Sequence, residues 1–210
     1  MPKAKPYLIG VAGPSCAGKT ELSRALRSQL NAALLPLDAY YFDLSDRSME
    51  ERARFNFDTP SALDHDLFVS HLRDLTAGRP IDVPVYDFAT HSRTDRTERI
   101  EPQSFIVVEG LFVLYWSDVR ALFGTKVFVD LDDATCLERR IHRDVRERGR
   151  TADSVIQQFN ETVAPMANLY VRTTREHADI VIPGDSPLDA STSIVTAHIE
   201  HTGNAASAGQ

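Results

Sequence analysis

The chain has 210 residues, of which 42% are hydrophobic and 25% are charged. A chain of this length buries one substantial core and is too short for two large domains, so we expect a single domain over 1–210. The formal net charge of −7 disfavours a general attraction to nucleic acid or to an anionic membrane. The two cysteines lack a repeated spacing, and no apolar run suits a signal core or a membrane span. We therefore expect a cytoplasmic protein.

Short apolar runs alternate with helical patterns along the chain. The runs predict five buried parallel strands, at residues 7–12, 32–37, 105–108, 126–131 and 179–182. Helical spacing predicts helices near residues 20–30, 61–77, 133–148, 152–177 and 187–200, with a break at Pro165 left open. This alternation predicts an α/β fold of three layers, in which helices cover both faces of a five-stranded parallel sheet.

Residues 79–104 interrupt the alternation. Their pattern predicts a small β-hairpin insertion rather than a core strand, and insertions of this kind often carry a second substrate. The core is expected over about 7–200. The small, polar residues 201–210 are expected to be frayed.

The most informative segment is residues 13–20, which match Gly-x-x-x-x-Gly-Lys-Thr directly after an apolar strand. Glycines at both ends let successive backbone N–H groups curl around phosphate oxygens, and the following helix directs its positive end at the anion. A plain strand-to-helix turn is the alternative, but both flanks favour a nucleoside triphosphate site. The expected ATP-binding residues are Gly13, Pro14, Ser15, Cys16, Ala17, Gly18, Lys19 and Thr20, with Lys19 on the outer phosphates and Thr20 on magnesium.

Two acidic residues directly follow predicted strands, where ligands of open parallel sheets collect. Asp38 follows the second strand, and Glu109 follows the third and precedes Gly110. Carboxylates beside a phosphate loop point to phosphoryl transfer, with Glu109 suited to the metal and Asp38 to the acceptor hydroxyl. Helix capping or simple exposure to solvent is the alternative for either acid.

Arginines are dense in residues 139–151 of this acidic chain. We interpret the segment as a lid that closes over the triphosphate, balances developing charge and expels water. A solvated helix face is the default alternative. Gly149, between Arg148 and Arg150, is expected to let the lid hinge.

Taken together, these motifs resemble the uridine kinase (uridine/cytidine kinase) family of P-loop phosphotransferases. The resemblance runs from about residue 7 to 183. Besides the phosphate loop it includes residues 37–41 (Leu-Asp-Ala-Tyr-Tyr), 56–64 (Asn-Phe-Asp-Thr-Pro-Ser-Ala-Leu-Asp), 84–93 (Pro-Val-Tyr-Asp-Phe-Ala-Thr-His-Ser-Arg), the Glu109-Gly110 pair and the arginine-rich stretch 140–150.

The resemblance implies a role for each matching residue. Asp38 would be the base that faces the nucleoside 5′-hydroxyl, acting with Lys19 and Arg143 in catalysis, and Thr20, Glu109 and Asp38 would hold magnesium. Arg148 and Arg150 would contact the triphosphate. The implied nucleoside-binding residues are Asp38, Tyr40, Asp58, Tyr86, Phe88, His91, Arg140 and Arg150, with Asp58 and Arg140 on the ribose and Tyr86 and His91 on the pyrimidine.

The residue types fit these roles. A carboxylate such as Asp58 accepts two hydrogen bonds from a cis-diol, and the imidazole of His91 presents a donor or an acceptor according to its tautomer. Tyr86 and Phe88 alternate on a strand and so share a face. Entry into a helix for Asp58, packing for the aromatic residues and exposure for His91 are the open alternatives.

The implied activity is ATP- or GTP-dependent phosphorylation of uridine and cytidine in pyrimidine salvage, by a homo-oligomer that is tetrameric in relatives. Departures from the family pattern are Leu37, where glutamine is common, Tyr40, where phenylalanine is frequent, and Thr59, where histidine is common. Thr59 leaves the nucleoside preference less secure than the reaction. A phosphoribulokinase-like or pantothenate-kinase-like enzyme and a non-catalytic nucleotide-sensing module are the alternatives, and a nucleic-acid-binding ATPase fits less well.

Overall fold

A five-stranded parallel sheet in the order β2-β5-β1-β6-β7 is the centre of the computed structural model, which describes residues 5–208. A two-stranded antiparallel hairpin, β3-β4, lies outside it. All five predicted core strands are confirmed, and none of their ends differs from the prediction by more than one residue. The strands are β1 (Tyr7–Ala12), β2 (Ala33–Pro36), β3 (Ile81–Asp87), β4 (Ser92–Ile100), β5 (Phe105–Glu109), β6 (Thr125–Asp130) and β7 (Ile180–Pro183).

Helices and helical turns connect the strands. The α-helices are α1 (Lys19–Leu30), α2 (Met49–Arg54), α3 (His65–Thr76), α4 (Ser117–Arg120), α5 (Asp133–Arg148), α6 (Ala152–Gln158), α7 (Ala164–Met166) and α8 (Leu188–Ala208). Turns of 3₁₀ type occupy Leu37–Tyr40, Pro60–Ala62 and Arg172–His177, and π-helical turns occupy Phe159–Val163 and Ala167–Val171.

Both faces of the sheet are buried, which confirms the three-layer prediction. Within β1, Leu8 belongs to one core and Ile9 to the other, because successive side chains of a strand point to opposite faces. The first core includes Phe68 of α3, and the second includes Leu26 of α1 and Val195 of α8. Parallel strands covered on both sides read as continuous apolar runs, and this made them recognisable in the sequence.

Capping explains several helix ends. Helix α5 matches its predicted bounds, since Asp132 caps it by accepting from the Thr135 N–H and Gly149 ends it with a left-handed φ of 63°. Helix α3 begins four residues later than predicted, at His65, because the Asp64 side chain accepts from the Leu67 N–H. Helix α2 was not predicted, although a capping box between Ser48 and Glu51 starts it.

The region predicted as one helix over 152–177 stays helical through Pro165. Proline lacks the N–H that an α-helix needs, and π-helical turns on both sides of α7 accommodate it. Helix α8 continues to Ala208, beyond the predicted end at 200 and into the segment expected to be frayed. Three alanines between 205 and 208 favour helix there. Residues 1–4 and 209–210 lie outside the described part, and the single domain over 1–210 stays a prediction.

A search of the helices in residues 5–208 found none with both the length and the apolar content that crossing a membrane requires.

Gly184, which follows β7, supports the loop after β1 by close contact. A Cβ at this position would lie 2.2 Å from the Ala17 carbonyl oxygen. We expect Gly184→Ala to lower the free energy of unfolding by about 1–3 kcal/mol, because a backbone atom cannot move aside as a flexible side chain can. Urea unfolding measures this, with the exposed neighbour Asp185→Ala as the control expected to stay within about 0.5 kcal/mol of wild type. Equal stability of the two variants would contradict the prediction.

Candidate active site

The loop between β1 and α1 has the curled backbone that its sequence predicts. Gly13 has a φ of 146°, and a Cβ there would lie 2.2 Å from the Val129 carbonyl oxygen, so a larger residue does not fit. Gly18 caps α1 with a φ of 108°. Cys16 between them takes a left-handed φ of 64°, which stores strain in the loop. The loop and the first turn of α1 thus form a backbone cradle suited to an anion.

Lys19 and Thr20 start α1 on the two sides of this cradle. The Lys19 ammonium group donates a hydrogen bond of 2.8 Å to the Pro14 carbonyl, which keeps the mostly buried side chain within the curve of the loop. The Thr20 hydroxyl donates to Glu109 Oε1 at 3.3 Å. The structure therefore brings the loop, Lys19, Thr20 and Glu109 together.

Asp38 and Glu109 lie at the carboxyl ends of the neighbouring strands β2 and β5. Burial raises the pKa of Asp38, and the charges of Lys19, Arg148 and Arg143 oppose this rise. Burial, and next the negative charge of Asp38, raise the pKa of Glu109 to about 7. Two neighbouring buried carboxyl groups whose pKa values are raised are suited to a cation and to proton transfer.

The donor set beside the loop fits magnesium in particular. In residues 5–208 no three His, Cys, Asp or Glu side chains cluster as a metal site. Magnesium needs no such cage, because it keeps several waters and binds through one or two carboxylates together with the phosphates of its substrate. Thr20, Glu109 and Asp38 offer one hydroxyl and two carboxylates, and a cation there would relieve the repulsion that raises the pKa of Glu109.

Asp58 lies close enough to Asp38 and Arg140 for their charges to interact. Burial raises the pKa of Asp58; the charge of Arg140 lowers it, and the charge of Asp38 raises it further. Burial also raises the pKa of the Tyr41 phenol, and Asp38 and Asp58 are the next causes. The phenol of Tyr41 therefore belongs to the same site as the two acids.

Tyr40, a predicted nucleoside-binding residue, points away from the site. Its side chain is fully buried, its hydroxyl pairs with His71 Nδ1 at 2.8 Å, and its ring packs on Phe68. The next residue, Tyr41, faces Asp38 and Asp58 instead. The prediction for Tyr40 is corrected to a packing role, because the 3₁₀ turn that carries Asp38 directs consecutive side chains to different sides.

Aromatic residues of the hairpin surround the space beside Tyr41. The Tyr86 ring lies 5.4 Å from that of Tyr41 and 5.2 Å from that of Phe88. His91, which has a φ of 51°, stacks on Phe57 at 5.0 Å. Burial, and next the charge of Arg148, lower the pKa of His91, so its imidazole is neutral at pH 7. The buried Tyr86 hydroxyl has no hydrogen-bond partner among the described residues.

Arg93 fixes the hairpin to the turn that carries Asp38. Its guanidinium donates to the carbonyls of Tyr40 and Tyr41 at 3.1 and 2.8 Å and pairs with Asp64 at 3.2 Å. These bonds join the hairpin to the turn after β2. They thereby fix the position of the hairpin rings of Tyr86 and Phe88 relative to Asp38.

The predicted lid, 139–151, consists of the last turns of α5 and the short loop after it. Gly149 caps α5 here, so the glycine expected to act as a hinge ends a regular helix. Arg140 donates to the Ser15 hydroxyl of the phosphate loop at 2.9 Å. Its charge lowers the pKa of Asp58, yet no direct bond joins these two side chains within the described residues. The Arg148 guanidinium lies 5.7 Å from the centre of the Phe88 ring.

Asp144 connects the arginines of the lid, and the sequence analysis did not identify it as a site residue. It is fully buried, and ion pairs link it to Arg143 at 2.8 Å and to Arg140, Arg148 and Arg150 at 3.6 Å each. A signal was available, because an acid four residues after one arginine and four before another lies on their helix face. The sequence analysis also did not identify Tyr41 and Phe57 as site residues. An aromatic residue type alone does not distinguish a residue that lines a site from one that packs in the core.

Comparison with known proteins gives the family. The phosphoribulokinase/uridine kinase family profile matches residues 8–190. A uridine kinase of Streptococcus thermophilus is 46% identical over 186 residues, which cover 87% of this chain and 88% of the relative. A uridine kinase of Chloroflexus aggregans is 46% identical over 198 residues, covering 93% and 95%.

Solved structures support the fold. Phosphoribulokinase from Rhodobacter spheroides superposes with a TM-score of 0.64 at 17% identity, covering 88% of this chain and 74% of that one. A D-glycerate 3-kinase from Cryptococcus neoformans reaches a TM-score of 0.59 at 16% identity and covers 79% of both chains. At these identities the likeness concerns the fold alone.

The raised pKa of Glu109 predicts how stability depends on pH. A carboxyl that binds its proton more tightly when folded costs stability as the pH rises from its ordinary pKa of 4.5 to about 7. We expect Glu109→Gln to be more stable than wild type by on the order of 2 kcal/mol at pH 8 without metal, and equal to it near pH 4.5. Urea unfolding at both pH values measures this.

Glu138→Gln, an exposed position on α5, is the matched control and is expected to show no such difference. A Glu109→Gln variant less stable than wild type at pH 8 would contradict the assigned burial cost.

Proposed function

The chain belongs to the phosphoribulokinase/uridine kinase family, and we propose that it transfers the γ-phosphoryl group of ATP to the 5′-hydroxyl of uridine and cytidine. The observation that carries the proposal is the position of Asp38. Its charge interacts both with Lys19 of the phosphate loop and with Tyr41 and Asp58. An acid between a triphosphate cradle and an aromatic pocket suits a base that serves both substrates.

In the proposed reaction the bond between the γ-phosphorus and its bridging oxygen breaks, and a bond from the 5′-oxygen to that phosphorus forms. The proton of the 5′-hydroxyl passes to a carboxylate oxygen of Asp38. Burial raises the pKa of Asp38 and so makes its ionised form a better proton acceptor. The leaving group is ADP, whose phosphates would remain on the amides of the loop, with Lys19 on their outer oxygens.

We assign the metal position to Thr20, Glu109 and Asp38. Magnesium held by these residues would neutralise part of the negative charge that develops during transfer. Glu109 would serve as the ionised ligand, and its raised pKa means that binding of the cation would release a proton near neutral pH.

Arg143 and Arg148 face the same reaction space from the lid. Their charges act on Asp38, and both side chains pair with the buried Asp144, although that of Arg148 remains partly exposed. Guanidinium groups held beforehand in this position stabilise negative charge on the transferring group without a large reorganisation. A closed lid also excludes water, which would otherwise hydrolyse ATP.

The pocket beyond Asp38 suits a pyrimidine ribonucleoside. In this proposal Asp58 would accept hydrogen bonds from the ribose diol, and the rings of Tyr41, Tyr86 and Phe88 would offer flat apolar surface to a base. The unpaired hydroxyl of Tyr86 and the neutral imidazole of His91 offer donors and acceptors to its edge. Use of GTP as donor, a role in pyrimidine salvage, cytoplasmic location and tetramer formation stay predictions.

A panel of acceptors tests the function. Purified protein with ATP and magnesium is mixed with uridine, cytidine, 2′-deoxyuridine, ribulose 5-phosphate or pantothenate, and new phosphomonoesters are separated and identified. The proposal requires uridine and cytidine 5′-monophosphates, with 2′-deoxyuridine used less well because it leaves Asp58 partly unpaired. Product from ribulose 5-phosphate or pantothenate alone would overturn it.

Asp38→Asn tests the proton acceptor. The amide keeps the size of the side chain but cannot take the proton, so we expect turnover to fall by about 100- to 10,000-fold. ATP affinity, measured by calorimetry, should change little. The exposed Asp46→Asn is the control and should retain wild-type turnover. Undiminished turnover in Asp38→Asn would remove Asp38 from the mechanism.

Two adjacent tyrosines test the corrected assignment. Tyr40→Phe loses the hydrogen bond to His71, so we expect its free energy of unfolding to fall by about 1 kcal/mol while KM for uridine stays within about twofold. Tyr41→Phe loses a hydroxyl next to Asp38 and Asp58, and its KM for uridine should rise by about 5- to 10-fold. Steady-state kinetics and urea unfolding on both variants decide the matter, and the reverse pattern would restore Tyr40 to the nucleoside site.

A further inference from the structure

The arginines of the lid share a single buried carboxylate. Asp144 has no exposed surface, and Arg140, Arg143, Arg148 and Arg150 all approach it within 3.6 Å. Three of these arginines lie on α5, and Arg150 follows the Gly149 cap. Four cations around one anion leave an excess of about three positive charges on this side of the phosphate loop, at a distance where charges interact strongly.

The backbone of Asp144 also contributes to this arrangement. Its carbonyl accepts hydrogen bonds from the N–H groups of both Gly149 and Arg150. The chain thereby turns back after α5, and the Arg150 side chain returns to Asp144. Both the end of the helix and the position of its last arginine depend on this one residue.

The hydrogen bonding of the carboxylate is incomplete. Arg143 donates to Oδ1 at 2.9 Å, whereas the buried Oδ2 accepts no hydrogen bond from the described residues and has Arg140 and Arg150 at 3.6 Å. The Nε of Arg140 is likewise without a hydrogen bond there. A site built for stability alone would be expected to satisfy such buried groups, since leaving them unpaired is costly.

We propose that Asp144 is the positioning residue of the lid: it holds four mutually repelling arginines in one arrangement, with Arg143 and Arg148 beside the reaction space, so that the reaction does not have to assemble them. Asp144 does not contact substrate. It acts through Arg143 and Arg148, whose charges reach Asp38, and through Arg140, which holds Ser15 of the loop. The inference rests on the proposed function, because it assumes that phosphoryl transfer takes place beside Asp38.

Removing the charge of Asp144 should distinguish the positioning of the arginines from their electrostatic attraction to the triphosphate. In Asp144→Asn the net positive charge near the triphosphate increases by one while the arginines lose their common partner and move apart. We therefore expect kcat to fall by at least about tenfold while KM for ATP is unchanged or lower. Water that enters past the displaced arginines should raise the ratio of ADP formed to nucleoside monophosphate formed from about one to above about 1.5.

The matched control is Asp153→Asn, the same change at an exposed residue in the first turn of α6. Both variants are compared with wild type by circular dichroism and by quantifying ADP and monophosphate in the same reactions. A loss of folded protein lowers the yield of both products together and leaves their ratio unchanged. The ratio therefore distinguishes positioning from mere structural support.

Asp144→Glu keeps the experiment decisive if Asp144→Asn does not fold. It retains the charge but moves the carboxylate by one methylene, and we expect kcat to fall by at least about fivefold with the ratio raised. Wild-type kcat and ratio in a folded variant, or activity that falls only with the folded fraction, would overturn the proposal.

Failure of the proposed function has a different signature, namely a wild-type protein that phosphorylates neither uridine nor cytidine. The same variants are then compared with whichever acceptor of the panel is phosphorylated.

Discussion

The burial of two carboxyl groups at the carboxyl ends of the parallel strands is the constraint on which the site depends. Asp38 and Glu109 end neighbouring strands, and burial together with mutual repulsion keeps the pKa of Glu109 near 7. Both carboxyl groups are tolerated because Lys19 lies opposite them. Parallel strands bring their ends to a common edge, so the fold itself places these two groups beside the phosphate loop in space. The repulsion between the two carboxyl groups remains in the folded protein, and a bound cation would relieve it.

The lid has a similar arrangement in which positive charges, rather than negative ones, are in excess. There, several arginines share one buried carboxylate, whereas beside the loop two carboxyl groups share one lysine. Each half has an excess of like charge, and each half is close to the other: Arg143 and Arg148 lower the pKa that burial raises at Asp38. Neither excess is stabilising alone, but together they form a preorganised environment in which charge can shift during a reaction at little cost of reorganisation.

Much of the fold was predictable because its causes are local. Strands β1 and β5, which contain Leu8 and Ile106, are continuous apolar runs. Helix α5 has a capping aspartate before it and a glycine after it. The phosphate loop was predictable because Gly13 and Gly18 have positive φ angles that few other residues adopt, and a Cβ at Gly13 would meet the backbone. Asp38 and Glu109 followed from the same logic, since the end of a strand can be read from its apolar run.

The parts that were not predictable depend on direction and on distance in space. Tyr40 and Tyr41 are adjacent and chemically alike, and only the turn after β2 determines which ring enters the core and which faces Asp58. The burial of Asp144 likewise arises from the chain after Gly149 folding back towards it. The spacing of Asp144 from Arg140 and Arg148 puts the three on one helix face, but no periodicity shows that the carboxylate is buried or that Arg150 returns to it.

The contact between lid and hairpin has a consequence for how the two halves of the site communicate. Arg148 pairs with Asp144, lies 5.7 Å from the centre of the Phe88 ring, and lowers the pKa of His91. A guanidinium over an aromatic face is attracted to it, so the position of the lid and the position of the hairpin tip each affect the other. Because the hairpin is in turn held by Arg93 to the turn carrying Asp38, a movement of any one of these elements alters the surroundings of that carboxylate. Direct contacts thus connect the phosphate side of the site with its aromatic side.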